Sequence, residues 1–354
     1  MEAPSFSIVI STLDRATHLK NLLEALVLQS WDPFEVVIVL GPCKDNTRKL
    51  LERYRGFFKW VECPEANLSV SRNLGIVHAS GDICVFIDDD SLPLDRDWLL
   101  RYANVFAGDG AKKIGAATGP VLHRDTEYYE FRNGVHNCYG FQQFTFNGDP
   151  GDFKWQLRLV GGNCAVRRRE VLLAIGGFDE RYLYYHDETD ASIRMIKAGW
   201  EIRHVPDAVA RHFKINGEFR KSDYDLRWDV IGRSDAYFAM KNGDDFFALR
   251  LLKTLLYAPR KHFVLQILHG YQHKVYGARK LLYFILLWLQ GTLSGIVLAC
   301  FPRKLMKGND AGDKFLRYDK NALSKCNPVS AEILKRYAEA PNVCPTQADL
   351  LRPA

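Results

Sequence analysis

Three consecutive carboxylates, Asp88, Asp89 and Asp90, end the apolar run DICVFID (82–88), with Pro93 just beyond. In extended chain alternate side chains share a face, so Asp88 and Asp90 point the same way. Two like charges held that close are costly unless a cation neutralises them. Hard divalent cations prefer oxygen ligands, and magnesium takes one or two carboxylates together with substrate phosphates. An Asp-x-Asp at a strand end is therefore a seat for a metal and a diphosphate. A solvated acidic turn ahead of Pro93 fits the same residue types, but the place after a buried strand weighs against it.

A second acidic group, Asp187 and Glu188, opens the stretch HDETDASIR (186–194). General-base chemistry on a hydroxyl needs a carboxylate of this kind. Acids in a first helical turn also complement the helix dipole, which accounts for the pair without any chemistry. Asp190 and Arg194, four apart, read as a structural ion pair on one helix face. Three further features are weaker. His212 follows a short β-branched stretch and is either a ligand or a packed side chain. Gly161-Gly162-Asn163 allows close backbone approach and also fits a plain turn. Arg72, on an early helix, can reach a phosphate or pair with an acid.

These residues need elements to hold them. Up to about residue 120, short apolar runs (6–12, 35–40, 59–63 and 82–88) alternate with helical periods over 17–29, 46–54 and 68–78. The pattern predicts an α/β fold, a mostly parallel sheet with helices on both faces, and ligands at the strand ends. Residues 121–165 lose periodicity and turn aromatic and Gly/Asn-rich, which predicts loops and short strands around a pocket. Helices are expected at 168–175 and 187–198, with a strand over 201–205. Beyond about 218 the pattern is helical: 222–241, 246–257, and 260–301 broken near Gly277. The last fifty residues are polar, with one helix at most (331–339) on a loose tail. The expected division is a catalytic unit over 1–218, a helical appendage over 219–310 and a loosely ordered tail over 311–354.

The chain has 354 residues, 47% of them hydrophobic and 25% charged, which provides for a sizeable core and excludes wholesale disorder. A net charge of +6 is too small to indicate a nucleic-acid partner. The excess is local, with eleven Lys/Arg against three Asp between 241 and 310. Eight singly spaced cysteines offer no zinc pattern, and the first eleven residues lack the parts of a signal peptide, so a reducing cytoplasm is expected. Residues 281–302 carry no charge and are long enough to span a membrane. Gln290, Gly291, Thr292, Ser294 and Gly295 dilute their centre. A helix lying on the inner face of the membrane, or packed on the catalytic unit, fits better, and residues 250–305 are the expected contact with anionic lipid.

Taken in order, VISTLDR (9–15), GPCKDNT (41–47), NLSVSRNLGIVHASGD (67–82), FIDDDSLP (86–93), GGNCAVRRREVLLAIGGFDE (161–180), HDETDASIRMIKAGW (186–200) and His212 resemble the family-2 glycosyltransferases of the GT-A fold. The resemblance covers about residues 5–215. It implies that Thr12 and Arg15 line a nucleotide pocket, that Asp45 contacts the nucleobase and that Arg72 lies near the diphosphate. Asp88 and Asp89 would face the ribose and a metal, Mg2+ or Mn2+, with Asp90 as direct ligand and His212 completing the site. Gly162 and Asn163 would border the acceptor. Many relatives carry a Glu-Asp pair in which the aspartate is the base; here the order is Asp187-Glu188, so Glu188 takes that position and Asp187 competes with it. The implied activity is inverting transfer of a sugar from a nucleotide sugar to a hydroxyl of a glycan or lipid-linked acceptor. A sugar-phosphate nucleotidyltransferase and a non-catalytic nucleotide-binding membrane scaffold are the rival classes. The first would carry a Gly-rich basic loop where this chain has Thr12-Leu13-Asp14-Arg15.

Overall fold

A computed structural model describes residues 4–107, 109–144, 156–217, 219–222, 224–258, 266–306 and 311–339. The first half runs β1 (Phe6–Thr12), α1 (Ala16–Val27), β2 (Phe34–Leu40), α2 (Thr47–Arg53), β3 (Lys59–Glu62), α3 (Leu68–His78), β4 (Ile83–Ile87), β5 (Ser91–Pro93), α4 (Trp98–Phe106), β6 (Ile114–Thr118), β7 (Val121–His123) and β8 (Tyr129–Phe131). Short strands β9 (Val135–His136), β10 (Gln142–Gln143) and β11 (Gln156–Leu157) precede β12 (Asn163–Arg167), α5 (Asp187–Lys197), β13 (Glu201–His204) and β14 (Ala210–His212).

The main sheet has the order β13-β6-β12-β4-β1-β2-β3. β1 pairs in parallel with β2 and β4, and β12 alone runs antiparallel, between β4 and β6. Alternation along the strands feeds two apolar layers. Phe6, Ile8 and Ile10 pack with α1 and α4 on one face, while Val9, Cys84 and Phe86 pack with α3 and α5 on the other. A sheet buried on both faces needs continuous apolar strands, which is why FSIVIST and FEVVIVL read as runs rather than alternations.

The chain proceeds from β1 outward through β2 and β3, then returns to the other side of β1 as β4. That reversal leaves a crevice at the carboxyl ends of β1 and β4, the place where open α/β sheets bind ligands. Residues 12–15 and 88–90 both emerge there. A second sheet, β5-β14-β7-β8, caps the crevice and sets His212 opposite Ser91. The histidine thereby lies beside Asp90.

The remainder is β15 (Arg220–Ser222), β16 (Asp225–Leu226), α6 (Trp228–Asn242), α7 (Phe247–Ala258), α8 (His269–Gln272), α9 (Ala278–Leu298), α10 (Lys320–Cys326) and α11 (Ala331–Glu339). α6 and α9 pack closely, because a Cβ at Gly291 or Gly295 would overlap the α6 carbonyls of Asp229 or Arg233. Phe284, Trp288, Gly291, Thr292 and Gly295 of α9 are buried, while Leu282, Leu286, Leu289, Leu293 and Val297 face outward.

Several expectations are corrected. The expected helix over 222–241 starts only at Trp228, because a Ser222–Asp225 turn closes a hairpin first. The helix expected at 168–175 is a single π-helical turn, Arg168–Leu173. α4 and β6 were not legible in the pattern. The start of the expected 260–301 helix lies outside the described residues. The loose tail does not hold over 311–339: Tyr318, Leu323 and Ile333 are buried in the core over α1. Tyr318 packs its ring on Phe34 at 5.3 Å and donates to the Leu23 carbonyl at 2.9 Å. Buried Glu35 accepts from Ser7 Oγ at 2.7 Å and from the Leu316 amide at 2.9 Å, with Lys59 at 3.1 Å. Asp313, Arg317 and Arg336 of this segment are matched by His78, Asp32 and Asp125 of the body. Residues 340–354 lie outside the described part.

Candidate active site

The crevice opens into a cleft of about 960 Å³ that receives Thr12, Arg15, Arg72, Asp88 to Asp90, Gly162, Asp187, Glu188 and His212. Asp89 accepts from Arg15 at 2.8 Å, and the same guanidinium nitrogen lies 2.9 Å from Asp90. Asp88, Asp90 and His212 converge, with one potential ligand atom from each lying within 4.8 Å of the others. Two carboxylate oxygens and an imidazole nitrogen suit a divalent cation such as Mg2+ or Mn2+. His212 Nε2 lies 3.3 Å from Asp90 and its Nδ1 2.9 Å from Glu130. Burial pushes the imidazole pKa down, but these two carboxylates overcome it and raise it to about 10; a divalent cation beside Asp88 and Asp90 would displace that proton and leave Nε2 free to ligate. Asp90, against its own burial, is held low by His212 and Arg15, the latter at 2.9 Å.

Across the cleft, α5 starts abruptly. Tyr185 and His186 both adopt left-handed backbone, φ 74° and 70°. Strain of about 1–3 kcal/mol per such residue persists only where the surroundings impose it. The turn brings Asp187 and Glu188 to the cleft wall in different settings. Asp187 is buried and paired with Arg72. Glu188 keeps 16% of its side chain exposed and is held by Arg158 NH2 at 2.6 Å. Burial raises the Asp187 pKa and opposes the charge on Glu188 too, but Asp187, Arg158 and Arg72 bring Glu188 down to about 2. Arg72 links the two sides of the cleft, 3.9 Å from Asp88 and 3.8 Å from Glu188.

Behind Glu188 runs a chain of hydrogen bonds that reaches the appendage. Arg158 donates to Gln142 Oε1 at 2.9 Å, Gln142 Nε2 meets His186 Nδ1 at 3.1 Å, and His186 Nε2 meets Asp235 of α6 at 2.8 Å. The order of groups is self-consistent when the imidazole is neutral and carries its proton on Nε2, because the Gln142 amide then donates to Nδ1.

Two expected site residues are not at the cleft. Asn163 is fully buried: its Oδ1 accepts from Trp98 and Tyr102 and its Nδ2 donates to the carbonyls of Pro120 and Ala208. With every polar atom engaged, it braces the sheet and has nothing left for an acceptor. Asp45 holds the loops after β1 and β2 by accepting from the Ala16 and Thr47 amides, while Asp14 and Lys44 line the cleft nearby. Gly162 is where expected, and its reason is spatial. A Cβ there would overlap the Asp88 carboxylate, and one at Gly161 would overlap the Arg72 guanidinium. Arg158, Gln142, Glu130 and Asp235 escaped sequence reasoning, since each acts through contacts distant in the chain. The expected ion pair of Asp190 with Arg194 forms at 2.7 Å, and Arg303 and Asn242 also bind Asp190.

Residues 7–176 match the family model described as Glycosyl transferase family 2. The N-acetylglucosaminyl-diphospho-decaprenol L-rhamnosyltransferase of Mycobacterium tuberculosis is 39% identical over 246 residues, 60% of this chain and 77% of that protein. The O-antigen chain rhamnosyltransferase WbaN of Salmonella anatum is 26% identical over 213 residues, 59% of this chain and 66% of that protein. Among solved structures, S. aureus TarS 1-349 in complex with UDP-GlcNAc superposes with a TM-score of 0.55 at 18% identity, covering 83% of this chain and 81% of that one. The mannosyltransferase PcManGT from Pyrobaculum calidifontis, in complex with GDP-Man and Mn2+, gives 0.52 at 17% identity, covering 85% and 88%. These structural likenesses establish the GT-A fold. With the sequence match to the mycobacterial transferase and to the family model, the chain belongs to glycosyl transferase family 2.

Proposed function

We propose that this glycosyltransferase moves a sugar, with inversion, from a nucleoside-diphosphate sugar to a hydroxyl of a lipid-linked or polysaccharide acceptor. The observation that carries the reading is Arg72, which stands between Asp88 on the donor side and Glu188 on the acceptor side of one cleft. Relatives named as rhamnosyltransferases make L-rhamnose the first sugar to test.

Glu188 is the base, since it is partly exposed at the cleft wall whereas Asp187 is buried and locked to Arg72. The acceptor hydroxyl passes its proton to Glu188 as its oxygen bonds to the anomeric carbon. The bond from that carbon to the diphosphate oxygen breaks with its electron pair on the leaving nucleoside diphosphate, and no enzyme-bound sugar forms. Asp88, Asp90 and His212 would hold Mg2+ or Mn2+. The ion supplies neutralisation of charge on the departing phosphate. Thr12 and Arg15 contribute the nucleotide end of the cleft, and Gly162 keeps the wall beside Asp88 thin.

The same reading places the enzyme on the cytoplasmic face of a membrane. α9 is 21 residues long, with an 18-residue window of mean hydropathy 1.9, and one of its faces is packed on α6 while the other is exposed. A helix so placed lies in the interface rather than across it. The basic excess contributes less than its count suggests, because Lys253, Lys280, Arg303 and Lys304 pair with acids of the protein itself.

The test is a panel of uridine-, thymidine- and guanosine-diphosphate sugars with Mn2+ or Mg2+. Nucleoside diphosphate should be released, and release should stop on chelation and in Asp90→Ala and Glu188→Gln. Release of pyrophosphate, or no turnover with any donor, would overturn the reading.

A further inference from the structure

Arg158 reaches Glu188 from a fixed place, and that place is set in part from outside the α/β body. Its Nη2 donates to Glu188 at 2.6 Å, its Nη1 to Gln142 Oε1 at 2.9 Å and its Nε to the Leu159 carbonyl at 3.2 Å. An arginine has donors only, so the Gln142 atom that meets it must be the amide oxygen. The Gln142 NH2 then faces the other way, toward His186 Nδ1 at 3.1 Å and Thr189 Oγ1 at 3.2 Å. His186 Nδ1 must therefore accept. That leaves the imidazole proton on Nε2, where Asp235 of α6 accepts it at 2.8 Å.

Every bond in this series has one direction, and reversing one reverses the next. An imidazole protonated on Nδ1 would turn the Gln142 amide over and set its NH2 against the guanidinium. Arg158 would lose one of its three anchors, and with it the aim of Nη2 at Glu188. Packing does not guard against this. The His186 ring is buried, lies on Phe238 of α6 with centroids 4.6 Å apart and planes 19° from parallel, and comes within 3.0 Å of where a Cβ on Gly140 would stand. Such contacts fix the plane of the ring but are indifferent to which nitrogen carries the proton. A hydrogen-bonding group decides that. Asp235 is that group, and it too is buried. A carboxylate withdrawn from water costs free energy that an aliphatic side chain at the same place would not, so filling space does not account for it.

We propose that Asp235 is a positioning residue for the candidate base: by fixing the His186 tautomer it orients Gln142 and, through it, the Arg158 guanidinium on Glu188. This rests on the transferase reading, in which Glu188 takes the acceptor proton. The helical appendage then has a share in the reaction itself, besides any contact it makes with a membrane. α6 holds the next acid of α5 as well, since Asn242 donates to Asp190 at 3.1 Å. Glu188 thus stands on a helical turn that α6 grips on both sides.

Nucleoside diphosphate release, followed with the donor of the panel above that turns over fastest, gives kcat and the donor KM. Asp235→Asn should lower kcat about tenfold, the scale of a lost hydrogen bond to a charged group, and leave the donor KM unchanged. Asp235→Glu should recover part of the loss. Because the effect travels through Arg158, Asp235→Asn should lower kcat no further once Arg158→Gln is in place, whereas independent sites would add. Heteronuclear NMR of histidine-labelled protein, with the His186 signals identified by their loss in His186→Gln, reads the tautomer without turnover. Nε2 should carry the proton in the unaltered protein, and Asp235→Ala should admit the Nδ1 form. The proposal is overturned if Asp235→Asn leaves kcat intact, or if its loss adds in full to that of Arg158→Gln. It is equally overturned if Nδ1 carries the proton in the unaltered protein, or if the tautomer is the same in Asp235→Ala. Melting temperatures establish that each variant is folded, and Gln142→Met, which breaks the same series nearer to Glu188, replaces Asp235→Asn if that variant is not. An unaltered enzyme that releases nothing from any donor would count against the transferase reading, while the tautomer would still decide the direction of the bonds.

Discussion

Arg158 donates to Glu188 Oε1 at 2.6 Å and to Gln142 Oε1 at 2.9 Å, so one guanidinium both adds to the support that Asp187 gives the charge of the candidate base and ties it to the chain of bonds ending at Asp235. A carboxylate held at about 2 is ionised throughout the working range. It is also a weak base until the acceptor displaces part of this support.

Arg158→Gln should therefore raise the Glu188 pKa toward the ordinary value of about 4.3. A base works deprotonated, so the rate falls as pH drops through that pKa. The acid limb of the kcat profile should move to higher pH in Arg158→Gln, and in the same direction, by less, in His186→Ala. An acid limb that does not move would remove Glu188 from the role of base. The depressed pKa also contributes stability that is complete above the unfolded value and is lost as pH falls toward 2.

Gly162→Ala puts a methyl group where the Asp88 carboxylate lies. The main sheet is not otherwise disturbed, so the melting temperature should change little. The metal concentration giving half-maximal activity should rise by about tenfold or more, the scale seen when a group supporting a ligand is displaced. Unchanged metal dependence would show that Asp88 does not take part in the metal site.

Leu286, Leu289 and Leu293 are exposed by 56%, 45% and 63% on the outer face of α9. Replacing the three with aspartate removes apolar surface that the fold does not bury. Flotation with vesicles containing anionic lipid should be lost while the unfolding transition stays in place. Retained flotation would send membrane contact elsewhere on the chain.

Tyr318 is buried by residues some 280 positions away in sequence, and Tyr318→Ala should cost about 3–5 kcal/mol, as removal of a large buried ring does. Denaturant unfolding followed by tryptophan fluorescence measures this. A loss below about 1 kcal/mol would mean that the segment is an accessory to the sheet rather than part of its core.

The repeating strands and helices before residue 90 were legible because local periodicity and tertiary burial agree there. Asp88 and Asp90 could be paired from the strand period alone, and the return of β14 beside β5 brings His212 to them. Asn163 could not be placed, since a buried, fully bonded amide and a ligand-facing one have the same signature in a Gly-Gly-Asn turn. Arg158 and Asp235 carry no local pattern at all; their meaning arises only when β11, α5 and α6 meet. The segment 311–339 misled for a related reason, because its polar residues find buried partners that composition does not reveal, such as Glu24, which accepts from Asn327 and Ser330.

That last segment changes how the helices before it are attached. The helices of residues 219–306 are bonded to the α/β body at Asp235, Tyr237 and Arg303, and the chain after them is built into it again at Leu316 and Tyr318, so the helix pair is fastened at several points rather than at one. Swinging such a bracket would break these bonds together. Whatever surface its outer face settles on, the mouth of the cleft is then held at a set height and tilt above it, and the reach of an acceptor from that surface becomes a matter of length rather than of chance encounter.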